Sequence, residues 1–142
     1  MERRKFLLNA GIFSAFAGVT QNSFATLNIE DKSNLQPFLL PATAPLEHND
    51  GMAVKVWVRS AMTGGIYSNI ECAVAPKKMG PPPHFHIALD ELMYVAEGTA
   101  SILIGDDVVE VQAGGWHLRP RGIQHTFWNA SDKPLRFYDM YF

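Results

Sequence analysis

The sequence predicts an all-β domain, a sandwich or a barrel, over residues 51–142. Short runs rich in Val, Ile, Tyr and Phe recur along it, several with a polarity period of two. Gly, Asp, Ser and Pro clusters separate these runs. No stretch after residue 50 carries a convincing helical period. Val54, Val56 and Val58 alternate with Lys55, Trp57 and Arg59. Gly64-Gly65 turns the chain into a second strand in which Ile66, Ser68, Ile70, Cys72 and Val74 share one face. Leu92 to Glu97 and Ala100 to Ile104 are two runs hinged at Gly98, and Gly105-Asp106-Asp107 reads as the turn of a hairpin into residues 108–112. Residues 126–129 and 135–142, separated by Ser131-Asp132-Lys133-Pro134, complete the series.

Residues 1–25 read as an address and not as fold. Glu2-Arg3-Arg4-Lys5-Phe6-Leu7 precedes a short apolar run from Asn9 to Val19, then Ser23-Phe24-Ala25 as a small-x-small cleavage signal. The run is too short and too weakly apolar to span a bilayer. The segment resembles a bacterial twin-arginine export signal, which implies a periplasmic or extracellular destination and no stable membrane anchor after cleavage. It carries a net +2, so its removal takes the chain from −2 to −4. That acidic balance argues against nucleic acid as a partner. Residues 26–50 contain the apolar Pro37-Phe38-Leu39-Leu40-Pro41 and read as an extended arm that packs on the domain or on a second copy. The single Cys72 excludes an intramolecular disulfide and reads as a small buried hydrophobe.

The stretch that carries chemistry is Gly80-Pro81-Pro82-Pro83-His84-Phe85-His86, followed by Glu91. Residues two apart lie about 200° apart around a helix but on one side of a strand. His84 and His86 therefore converge only if the segment is extended, and three prolines favour that by fixing φ and disfavouring the helical region before each ring. Two imidazoles and a carboxylate form a donor set that suits a divalent transition metal. Glu91 is an odd number of residues beyond His86, so a turn or bulge near Leu89-Asp90 must reset the register to bring it to the same side. Asp90 is the competing carboxylate, expected to face solvent or an arginine.

A second stretch runs Gly114-Gly115-Trp116-His117-Leu118-Arg119-Pro120-Arg121-Gly122-Ile123-Gln124-His125-Thr126-Phe127-Trp128-Asn129. Together the two stretches resemble the paired motifs of the cupins. His84, His86, Glu91 and Gly98 match the first motif, and Gly114, Pro120, Gly122, His125 and Asn129 match the second. Fifteen residues lie between them, as in small single-domain cupins. Lys78 and Gly115 stand where the family often has Gly and Asp. A narrower likeness is to quercetin-dioxygenase-like cupins.

The resemblance implies a double-stranded β-helix, or jelly roll, with an N-terminal export segment ahead of it. It implies one divalent transition metal (iron, manganese, nickel, copper or zinc) held by His84, His86, Glu91 and His125. Glu91 would be ligand and proton acceptor. Met93, Tyr94, Trp116 and Phe127 are expected to wall a substrate pocket, and His48 and His117 to be ordinary polar residues. The implied function is that of a metal-dependent oxidoreductase, dioxygenase-like, acting on a small oxygenated or aromatic compound. The alternatives are a non-catalytic binding protein and a metal-dependent isomerase or hydrolase. A homodimer is expected, since small cupins commonly pair and the Phe38–Leu40 and Met140–Phe142 segments are apolar.

Overall fold

A computed structural model describes residues 35–142. Residues 1–25, expected to be an export segment, and the first part of the expected arm lie outside the described residues. Eight strands pair into two antiparallel sheets: β1 Met52–Val58, β2 Ser68–Val74, β3 Glu91–Glu97, β4 Thr99–Ile104, β5 Asp107–Gln112, β6 Trp116–Arg119, β7 His125–Trp128 and β8 Leu135–Tyr141. The first sheet has the order β1-β2-β8-β3-β6 and the second β5-β4-β7. The class is all-β as expected, with two open sheets and no closed barrel pairing among the described strands. The chain leaves one sheet for the other at Gly98, where φ is +78° and an added Cβ would lie 2.3 Å from the Pro134 carbonyl oxygen. A left-handed backbone in that little space requires glycine.

Side-chain alternation builds the core between the sheets. Cys72 and Val74 of β2, Met93 and Val95 of β3, and Leu135 and Phe137 of β8 meet Ala100 and Ile102 of β4, Val111 of β5 and Phe127 of β7. Phe127 and Phe137 pack edge to face at 4.9 Å between centroids. Cys72 is buried, and burial pushes its thiol up to about 12, which fits a packing residue and not a reactive one.

Three placements differ from simple alternation. Met52, Val54 and Val56 pair with Val74, Cys72 and Ile70, so they lie on the core face, yet Val54 is 50% exposed because β1 is an edge strand. Ile66 falls outside β2 and is exposed, beyond a 3-10 turn at Ser60–Thr63. Glu71 is on the outer face of β2 but is 1% exposed, because residues of the arm cover it. Its carboxylate accepts from the Leu46 amide at 3.0 Å and the Trp57 indole at 2.8 Å, and pairs with Arg136. Burial alone would raise its pKa; these donors outweigh it and hold the carboxyl below its usual value.

Candidate metal centre

Residues 78–86 run antiparallel to β7. The Gly80 amide donates to the Phe127 carbonyl at 2.9 Å, and His84 and His125 exchange backbone bonds at 3.0 and 2.7 Å. Pro81, Pro82 and Pro83 have no N–H to offer, so the contact is isolated bridges at Met79–Trp128 and His84–His125 and not a continuous ladder. Gly80 is required there, since a Cβ would come within 2.7 Å of the Phe127 carbonyl oxygen. The segment is extended: Phe85 is exposed between the less exposed His84 and His86. Bends at residues 87–88 then reset the register, and β3 begins at Glu91.

The result is one cluster. His84, His86, Glu91 and His125 each offer a ligand atom, and these atoms lie within 4.8 Å of one another. The His84 and His125 rings are 4.7 Å apart and the His86 and His125 rings 5.5 Å. Backbone carbonyls fix two tautomers: His84 Nδ1 lies 2.9 Å from the Pro82 oxygen and His125 Nδ1 2.9 Å from the Ile123 oxygen. Each Nδ1–H donates there, which leaves the Nε2 lone pair facing the cluster. His86 Nε2 and His125 Nε2 are buried with no hydrogen-bond partner. Glu91 Oε1 is in contact with His86 Nε2 and 3.5 Å from His125 Nε2, without hydrogen-bond geometry. Buried lone pairs left in this state are costly, and a divalent cation would satisfy them. Burial, helped by Arg119 and His84, lowers the His125 pKa and keeps the ring in its neutral, ligating form. The donor set fits the expected metal.

Three buried or half-buried polar groups on the inner face were not expected. Arg119 of β6 pairs in register with Glu91, is 1% exposed, and places Nη2 2.9 Å from Glu91 Oε2. The same nitrogen contacts Asp139 Oδ1, itself buried on β8. Desolvation raises the Asp139 pKa to about 6, against the opposing pull of Arg119. His117 pairs with Met93 in register, so it faces inward and is not an ordinary surface residue. Its Nδ1 is buried without a partner, and burial followed by the charge of Arg119 lowers its pKa. The signal for these groups was present in β8, where Asp139 interrupts the inward series Leu135, Phe137, Tyr141. It needs the β6 register, which residues 116–119 do not signal on their own in the sequence.

The wall residues divide. Met93 and Phe127 are buried on the inner faces. Tyr94 and Trp116 pair with each other, their rings tilted with centroids 4.6 Å apart, but they occupy the opposite face of the sheet from Glu91 and Met93. Strand alternation puts them outside, so the expectation that they line the ligand side is corrected. Asp90 meets an arginine: Arg121 holds it through its amide at 2.8 Å and its guanidinium at 2.6 and 3.0 Å, and these bonds bring the carboxyl down to about 2. His48 lies away from the cluster, in a 390 Å³ cleft between the arm and the outer face of the first sheet. That cleft is roomier than the metal cluster requires, but it contains no comparable set of convergent donors.

Residues 70–141, just over half of the chain, match the family model described as "Cupin domain". No curated protein matches the chain. Among solved structures, TT1209 from Thermus thermophilus superposes with a TM-score of 0.59 at 20% identity, covering 66% of this chain and 85% of the other. A predicted oxalate decarboxylase from Thermotoga maritima gives 0.60 at 15% identity, covering 63% and 78%. Oxalate oxidase in complex with the substrate analogue glycolate gives 0.55 at 23% identity, covering 66% of this chain and 52% of that one. At these identities the neighbours speak for the fold. The family match, the two facing sheets and the His-His-Glu-His cluster agree: this chain belongs to the cupin family.

Proposed function

We propose that the protein is a metal-dependent oxidoreductase, dioxygenase-like, acting on a small compound that presents oxygen donors to the metal. The observation that supports this most is the convergence of three imidazoles and one carboxylate, two of the imidazoles with buried, unpartnered Nε2 atoms. Four protein donors fill a structural zinc site, but leave positions open on an ion that takes six. A metal held here would polarise and orient a bound oxygen compound.

The chain's own residues supply the rest. Backbone carbonyls at Pro82 and Ile123 orient His84 and His125. Glu91 Oε1 faces the imidazoles and is the atom that would accept a substrate proton. Met93 and Phe127 keep the interior apolar, which strengthens polar interactions within it. Export through a twin-arginine route fits this reading, since it would allow the metal to be bound before translocation. Pairing of two copies is supported by the exposed core-face stripe Met52, Val54 and Val56 on edge strand β1.

The test is oxygen consumption by metal-loaded protein across flavonols, catechols and diketones. Substrate-dependent uptake that disappears in His86→Ala is expected. Product formation without oxygen uptake would replace this reading with isomerisation or hydrolysis, and ligand-induced thermal stabilisation without turnover would replace it with a binding role.

A further inference from the structure

The Glu91 carboxylate presents its two oxygens to two different partners. Oε1 faces His86 and His125, while Oε2 is 2.9 Å from Arg119 Nη2. Arg119 is buried, and Asp139 stands on the same nitrogen as a second counter-charge. Both carboxylates and the guanidinium sit on neighbouring strands of one sheet, with Glu91 in register with Arg119, and with Asp139 opposite Met93. Asp139 fixes the guanidinium where it meets Glu91, so turning Glu91 Oε2 toward the cluster would break a buried ion-pair contact at 2.9 Å. Glu91 Oε2 is thereby kept away from the cluster.

We infer that Arg119 is a positioning residue that restricts Glu91 to one ligating oxygen and so preserves a second open position on the metal, which makes the site selective for ligands that chelate through two adjacent oxygens. This rests on the metal-centre reading above. Three imidazole nitrogens and one carboxylate oxygen leave two of six positions free. A carboxylate binding through both oxygens would leave one, enough for a single donor but not for a chelate. Asp139 gives Arg119 a fixed place and offsets its charge. Partners of this outer kind typically tune affinity by roughly 10–100-fold.

The probe is cobalt(II), whose visible absorption reports coordination number, followed by titration with tropolonate, a chelator with two adjacent oxygens. The full chain is compared with the charge-compensated Arg119→Met/Asp139→Asn variant. That pair removes one charge of each sign, so a change in chelator affinity does not follow from net charge alone. Arg119→Lys is the second variant, for use if the first does not fold: an ammonium keeps the charge but lacks the planar fork. The full chain should bind one cobalt(II) and form a ternary complex with tropolonate. Either variant should still bind cobalt(II), show an altered spectrum, and bind tropolonate about tenfold or more weakly. Unchanged spectrum and chelator affinity in a folded variant would overturn the inference and leave the metal centre standing. A full chain that binds no cobalt(II) would overturn both.

Discussion

At the residue scale, four ligand side chains are separated in sequence by as many as 41 positions and depend on small local devices to meet. Glu91 and Asp90 are adjacent carboxylates with opposite fates. Glu91→Gln is expected to weaken divalent-metal binding by more than the roughly 10–100-fold that loss of an outer partner costs. Asp90→Asn, which disturbs only the bond to Arg121, should leave metal stoichiometry at the wild-type value; calorimetric titration of both variants checks this. One part of the pH dependence follows from His125. Its pKa is depressed in the folded protein from a usual value of 6.5, mainly by burial. Below about 6.5 the unfolded chain takes up a proton that the folded site refuses. Thermal midpoints of the metal-free protein from pH 8 to pH 5 should therefore fall through that value relative to those of His125→Gln, a comparison in which His117, lowered by burial, and Asp139, raised to about 6 and acting in the opposite sense, are common to both. His125→Gln should flatten that part of the profile. His84, His86 and Glu91 were legible from their local spacing, and His125 from the resemblance of its motif to that of the cupins. Arg119 and Asp139 were not, because their role arises from pairing across three strands.

At the element scale, the extended segment 78–86 and the Gly98 crossover position the site. Gly98 combines a positive φ with a Cβ position already occupied by the Pro134 carbonyl. Gly114 has a similar φ of +88° with nothing within 4 Å. Gly114→Ala should cost about 1 kcal/mol, the penalty of the backbone conformation alone. Gly98→Ala should cost clearly more, about 3 kcal/mol, because β4 or the Pro134 turn must also move. Chemical denaturation of the two variants measures the difference, and equal costs would mean that the crossover yields without strain. Strand existence was legible from period-two runs, and the β4–β5 hairpin from its turn residues. What the sequence did not reveal was cover. Val54 and Glu71 lie one strand apart, yet the valine is exposed and the glutamate is buried. Strand alternation states which face a side chain takes, and only the neighbouring sheet and arm decide whether that face is dry. Tyr94 and Trp116 were misplaced for the related reason that proximity in sequence to Met93 and to the second motif does not fix a face.

At the scale of the whole molecule, two facing sheets leave an interior wide enough for one polar cluster among apolar side chains. Edge strand β1 carries its core-face valines beyond the cover of the second sheet. If two copies pair there, light scattering should give twice the chain mass, and Val54→Lys/Val56→Lys should give the single-chain mass with the fold retained; a monomeric wild-type protein would remove the pairing. The central claim is the metal. Elemental analysis of protein purified without added metal, beside His86→Ala, tests it most directly. One equivalent of a divalent transition metal in the wild type, lost in the variant, is the expected result. A wild-type protein that holds no metal and gains no thermal stability from any divalent ion would contradict it.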